Sequence, residues 1–165
     1  MFDMYLTRAG LLRVQQELKA LQDEIRECNR KIGHTVSLDN DLRENPEFLA
    51  LRTKAEYELP ARITALSNIL NNHTLVETTE HILSNECEFI GVGNAVTLKD
   101  DDGNARLIHI LGFGESNPAH SIVSFDTPLA RALLDREIGD EISLPYQGKS
   151  VNFKVVNITR TPYLK

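Results

Sequence analysis

From Leu11 the apolar side chains fall at Leu11, Val14, Leu18, Leu21, Ile25, Cys28 and Ile32, in alternating steps of three and four. That spacing keeps every one of them on a single helical stripe and is the seam of a coiled coil. An isolated helix would leave the stripe in water, so a partner is required. Phe48, Leu51, Ala55, Leu59, Ile63, Leu66 and Leu70 supply it, again at steps of three or four. Thr7 is placed to cap the first helix and Gly33 to end it, giving a rod of roughly 40 Å at ~1.5 Å per residue. The segment Gly33–Asn45 exchanges seam residues for short polar ones and becomes the tip where the chain reverses, so the two helices pair antiparallel. Asn45 followed by Pro46 reads as an N-cap with proline at the first helical position, where its missing N–H costs nothing. Pro60 falls inside the second helix. There it removes one backbone bond and crowds the preceding turn, which predicts a kink or local bulge nearby.

After His73 the helical spacing gives way to short β-rich runs. The expected strands are 88–92, 95–98, 105–111, 121–125, 141–145 and 151–159, with 78–86 as a polar linker. Asp101-Asp102-Gly103 and Gln147-Gly148 supply hairpin turns. Pro128–Leu134 reads as a short helix capped by Asp126 or Thr127. The expected class is therefore α+β: an antiparallel coiled-coil hairpin over residues 1–76, its tip near 37–47, followed by a small mixed-sheet domain over 77–165.

Composition narrows the functions open to such a chain. The net charge is −6, whereas broad binding to bare nucleic acid requires a clustered basic surface. Any nucleic-acid role is thus expected to be indirect. No run approaches the ~20 apolar residues that span a bilayer, and the first residues lack the layout of a signal peptide. The expectation is a cytoplasmic monomer without membrane contact. Cys28 and Cys87, one on a helical seam and one beside a strand, suggest no disulfide framework. The five histidines show no paired ligand spacing, and the glycines at 91, 93, 112 and 114 lack the strand–turn–helix context of a phosphate loop.

The chemistry concentrates in Asp39-Asn40-Asp41-Leu42-Arg43-Glu44-Asn45-Pro46-Glu47-Phe48, which gathers four carboxylates and one arginine at the end of a rod. Acidic residues before a helix commonly do no more than cap it and complement its dipole. A second use is open to Asp41 and Glu44. Mg²⁺ prefers hard oxygen donors and takes one or two protein carboxylates, completing its shell with water and phosphate. Two carboxylates make a poor metal site alone, but they serve where another protein and a phosphate supply the remaining ligands.

At these residues the sequence resembles the Gre family of bacterial transcript-cleavage factors. Asp41-Leu42-Arg43-Glu44-Asn45-Pro46-Glu47-Phe48 is similar to that family's Asp-Leu-x-Glu-Asn-x-Glu-Tyr tip. Further likenesses follow in order: Leu6-Thr7-Arg8-Ala9-Gly10, the run 90–98, and Thr127–Leu134 followed by Gly139-Asp140. The resemblance implies a coiled coil that enters the secondary channel of RNA polymerase and an FKBP-like domain that docks at the channel mouth, with Thr127, Pro128 and Leu129 as candidate contacts. It implies an accessory factor and not an enzyme. Asp41 and Glu44 would share the polymerase's second Mg²⁺ and help it cleave the backtracked RNA 3′ end, which Arg43, Arg52 and Lys54 would hold. The chain departs from the pattern at Asn40, where glycine is usual, at Phe48 for tyrosine, at Pro46 for a small residue, and at Ser37 for a frequent arginine.

Two other classes fit parts of the sequence, beside a close variant of the first. The variant is a channel-binding regulator that does not promote cleavage, in accord with the altered approach to the tip. A prolyl isomerase would need an aromatic-lined pocket, while the C-terminal aromatics are scattered over Phe89, Phe113, Phe125, Tyr146, Phe153 and Tyr163. A plain coiled-coil adaptor would use the tip charge only for solubility.

Overall fold

The computed structural model describes residues 3–38, 45–85 and 87–164. Its contacts divide the chain into two units, Leu11–Asn72 and a second that joins Met1–Gly10 to His73–Lys165. The first ten residues, expected within the hairpin domain, therefore belong with the β-rich unit. The reason is a pairing between remote short segments. Strand β1 (Tyr5–Leu6) runs parallel to β2 (Thr74–Leu75), with Tyr5 opposite Thr74 and Leu6 opposite Leu75.

Helix α1 (Arg8–Leu38) is 31 residues long, about 46 Å at ~1.5 Å per residue. Thr7 caps it, its hydroxyl oxygen accepting from the Gly10 N–H at 3.0 Å, and the Glu77 carboxylate accepts from the Arg8 N–H at 2.9 Å. The helix continues through Gly33, where the sequence suggested it would stop. Beyond Gly33, the Thr35 hydroxyl donates to the Lys31 carbonyl at 2.9 Å and Ser37 to that of His34 at 2.6 Å. These residues bond back onto the helix instead of competing with it.

The return limb has three parts: α2 (Pro46–Thr53), a π-helical turn (Lys54–Glu58) and α3 (Leu59–Asn71). The expected bulge near Pro60 is this π turn, in which the Leu59 N–H bonds to the Lys54 carbonyl five residues back. Seam spacing explains its position. Leu51, Ala55, Leu59 and Ile63 are separated by consecutive steps of four, which outrun a 3.6-residue turn and would carry the stripe off the contact face. A wider turn absorbs the surplus, and Ala55 and Leu59 remain 6% and 1% exposed. The ion pairs across the hairpin record the same adjustment. Lys54 meets Glu24 and Arg62 meets Glu17, so eight residues on the π-containing limb match seven on α1. The opposite directions of travel make the pairing antiparallel.

The second unit carries a 3₁₀ turn (Val76–Thr78) and a short helix α4 (Glu80–Leu83) in the region expected as a linker. Val76 and Ile82, 0% and 2% exposed, insert from it into the core. Five strands form one sheet: β3 (Asn94–Asp100), β4 (Ala105–Leu111), β5 (Ile122–Ser124), β6 (Glu141–Tyr146) and β7 (Lys149–Arg160). Their order is β5-β4-β3-β7-β6. All neighbours are antiparallel except β4 and β5, so the sheet is mixed as expected. Val96, Leu98, Ile108, Ile110, Ile142 and Val155 build the core, and helix α5 (Pro128–Leu133) adds Ala130 and Leu133 to it. Gln147 and Gly148 both take positive φ, +50° and +76°, closing the β6–β7 hairpin with the handedness that matches strand twist.

The run 88–92 is not a strand. Phe89 makes only an isolated bridge to Glu137, and the Ile90 N–H donates to the Arg136 carbonyl. The chain then turns through Gly91–Asn94, with the Asn94 N–H on the Gly91 carbonyl and Gly93 at φ +98°, a conformation that glycine adopts without strain. Ile90 is fully buried, so its apolar character reflects core packing instead of sheet pairing. Among the described residues no helix is long and apolar enough to cross a membrane.

Candidate functional site

The hairpin limb that leaves the tip is fixed by its first residues. Asn45 adopts φ −82°, ψ 108°, and its side-chain oxygen accepts from the Glu47 N–H at 3.0 Å and the Phe48 N–H at 3.3 Å. Pro46 occupies the first turn, so the expected cap and proline start both occur. Asp41, Arg43 and Glu44 lie outside the described residues, between the end of α1 and this cap. The structure thus defines the two helix ends that carry the acidic segment.

The other cations named for the tip are engaged within the hairpin. Arg52 Nε donates to Glu56 Oε1 at 2.9 Å, one helical turn along, and Lys54 Nζ donates to Glu24 Oε1 on α1. The hydrogen bond from Lys54 draws the Glu24 carboxyl below its ordinary value and raises that of the ammonium. All four side chains stand about half in solvent. Ion pairs this exposed contribute little to stability.

The Thr127-Pro128-Leu129 segment lies in the second unit at the start of α5. The Thr127 hydroxyl accepts from the Ala130 N–H at 3.3 Å and donates to the Ser124 carbonyl at 2.8 Å. Of the two caps proposed for this helix, Thr127 is the one used. The Asp126 carboxylate accepts from the Ser124 hydroxyl instead. Pro128 is exposed and Leu129 half-buried. The segment stands between two hollows: one of 310 Å³ bordered by Leu129, Arg106, Pro118 and Ile122, and one of 530 Å³ bordered by Tyr5, Phe125, Asp126 and Arg131. An exposed proline thus stands between two concave surfaces, the second rimmed by Asp126 and Arg131.

The structure therefore places Arg52 and Lys54 on the return limb of the hairpin and gathers Thr127, Pro128 and Leu129 on the other unit. It also shows features that sequence reading passed over. Glu77 and Glu115 hold the first turn of α1: Glu77 accepts from Arg8, while Glu115 accepts from the Thr7 hydroxyl and, at 2.8 Å, from the Gly112 N–H. Nothing local in the sequence marks these glutamates, because each acts on a helix start 69 or 108 residues away.

Comparison with known proteins gives matches along nearly the whole chain. Residues 4–75 match the family model described as the N-terminal part of a transcription elongation factor, and residues 85–160 match the GreA/GreB C-terminal one. The transcription elongation factor GreA of a Nitratiruptor species is 32% identical over 95% of this chain and 93% of its own length. The GreA of Clostridium novyi is 29% identical over 93% and 94%. Among solved structures, GreA factor homolog 1 (Gfh1) of Thermus thermophilus is 25% identical with a TM-score of 0.43, covering 95% of this chain and 99% of that one.

Proposed function

Because the chain belongs to the GreA/GreB family of transcription elongation factors, we propose that it binds bacterial RNA polymerase through the secondary channel and stimulates the polymerase's own cleavage of backtracked RNA. The observation that carries this reading is the acidic segment between α1 and the Asn45-Pro46 cap, at the reversal of an antiparallel hairpin. A long narrow rod can deliver carboxylates into a site that a globular surface cannot enter.

Asp41 and Glu44 are the proposed working groups. Their hard oxygen donors suit Mg²⁺, and as only two carboxylates they match an ion whose other ligands come from the polymerase and the RNA. When bound, that ion supplies Lewis-acid activation of water at a phosphodiester. The chain's own task is positional. The Asn45 cap and Pro46 fix where helix α2 begins. Arg43, Arg52 and Lys54 supply positive charge for the RNA 3′ end, the latter two by releasing Glu56 and Glu24. Thr127, Pro128 and Leu129 dock the second unit on the polymerase. The factor works as a cytoplasmic monomer and has no chemistry of its own apart from the polymerase.

The test is RNA 3′-end cleavage in a stalled, backtracked elongation complex at fixed Mg²⁺. The wild-type protein should speed release of short 3′ fragments. Asp41→Ala or Glu44→Ala should lower that rate by roughly 10-fold or more, the order expected when a group that orients a catalytic metal is lost, while leaving competition for the polymerase intact. Binding without acceleration by the wild type would favour a channel-occupying regulator, and cleavage that survives both substitutions would remove the roles given to these residues.

A further inference from the structure

The π turn has a second effect, on the face of the hairpin that points away from α1. Leu49, Thr53, Tyr57, Ala61 and Ala65 follow one another at steps of four, two residues out of phase with the seam at Leu51, Ala55, Leu59 and Ile63. They form an uncharged outer stripe where a solvent-facing helix ordinarily carries charge. Tyr57 stands at its centre inside the π turn and is 69% exposed, while Leu49 is 46% exposed. π-bulges occur often at functional sites, and here one presents an aromatic ring outward about 16 Å along the helix from Pro46 at ~1.5 Å per residue.

The charges around the ring indicate what it would meet. Among the described residues, the cations that border this stretch have carboxylate partners: Arg52 has Glu56, Lys54 has Glu24, and Arg62 has Glu17. Glu58 remains as the surplus charge beside Tyr57, sensed electrostatically by a Lys54 ammonium already bonded elsewhere. A carboxylate next to an exposed ring favours a cationic side chain. An arginine could stack its guanidinium on the Tyr57 ring while reaching the Glu58 carboxylate. The small residues Thr53 and Ala61 on either side leave room for close approach.

We infer that Tyr57 and Glu58 form a docking point for an arginine- or lysine-bearing protein surface on RNA polymerase, separate from the acidic tip. The inference rests on the proposed binding to polymerase and adds a determinant of affinity along the rod. The experiment measures polymerase affinity by competition against a fluorescent wild-type factor, together with cleavage rate at saturating factor. Tyr57→Ala should weaken binding roughly 5- to 30-fold with the saturated cleavage rate unchanged, and Tyr57→Phe should remain near wild type because the ring face is kept. Glu58→Lys should also weaken binding. A photoreactive phenylalanine analogue at position 57 should crosslink to polymerase protein. Both positions are exposed, so thermal melts of the variants should overlay the wild type. Equal affinity for Tyr57→Ala, tighter binding by Glu58→Lys, or crosslinks to RNA alone would overturn the inference. Wild-type protein that fails to bind polymerase would remove both this inference and the functional reading. Wild-type binding with an indifferent Tyr57→Ala would remove this inference only.

Discussion

Replacing Asn94 with alanine tests the reading of the 91–94 turn as a polar clamp within an apolar core. Asn94 is 1% exposed. Its side-chain oxygen accepts from the Gly91 N–H at 2.8 Å and meets His81 Nε2 at 2.5 Å, and its amide donates to the Thr159 carbonyl at 3.2 Å. Three connections thus tie α4, the turn and β7 to one residue. Each such bond contributes ~1 kcal/mol net, and a buried group left unpartnered costs ~1–3 kcal/mol. His81 is half-exposed and can turn to water, whereas the Gly91 N–H has less recourse. The expected loss for Asn94→Ala is about 3 kcal/mol. A domain of this size shifts by ~4–8 °C per kcal/mol, so Tm should fall by roughly 12–24 °C. Urea denaturation followed by far-UV circular dichroism, with a thermal melt as a second measure, would give both numbers. A loss below about 1 kcal/mol would mean that water replaces these bonds at little cost, refuting the clamp.

Other outcomes follow from single observations. Burial pushes the His109 imidazole below its ordinary value, and its Nδ1 lies 2.8 Å from the Thr161 hydroxyl. The unfolded chain then takes up the proton first, so this contribution to stability is complete above the unfolded value of ~6.5 and declines as pH falls below it. The Tm of the wild type should drop between about pH 7 and pH 5.5, a window spanning that value, more steeply than that of His109→Gln; equal slopes would exclude the assignment. A methyl group on Gly112 would lie 2.7 Å from the Tyr5 carbonyl oxygen and 2.9 Å from Leu6 Cα. These are backbone atoms that cannot rotate aside, so Gly112→Ala should cost about 1–3 kcal/mol. It should also speed hydrogen exchange at Phe113, whose N–H bonds to Tyr5 at 2.8 Å, and unchanged exchange would count against the close approach.

What the sequence determined by itself was whatever depends on neighbours along the chain. The hairpin followed from its two seams, the start of α2 from Asn45-Pro46, the bulge from Pro60, and the β6–β7 turn from Gln147-Gly148, because helical phase, capping and turn conformation are all set within a few residues. The acidic tip was legible as composition, although its residues lie outside those described, and the outward aim of Tyr57 became visible only once the π turn had a place. Gly33 misled because a helix-ending glycine and one carried through the helix look alike until the bonds of Thr35 and Ser37 are known. Remote pairing belonged to the tertiary structure. A two-residue strand such as Tyr5–Leu6 has no period to read, and it forms because Thr74–Leu75 lies beside it. The run 88–92 carried a strand's composition, yet the core took Ile90 and the turn at Gly91–Asn94 took the backbone, since side-chain burial can be satisfied without a ladder of hydrogen bonds. Glu77 and Glu115 gained their roles at the start of α1 only through closure of loops 69 and 108 residues long, a choice among distant partners that no local pattern encodes.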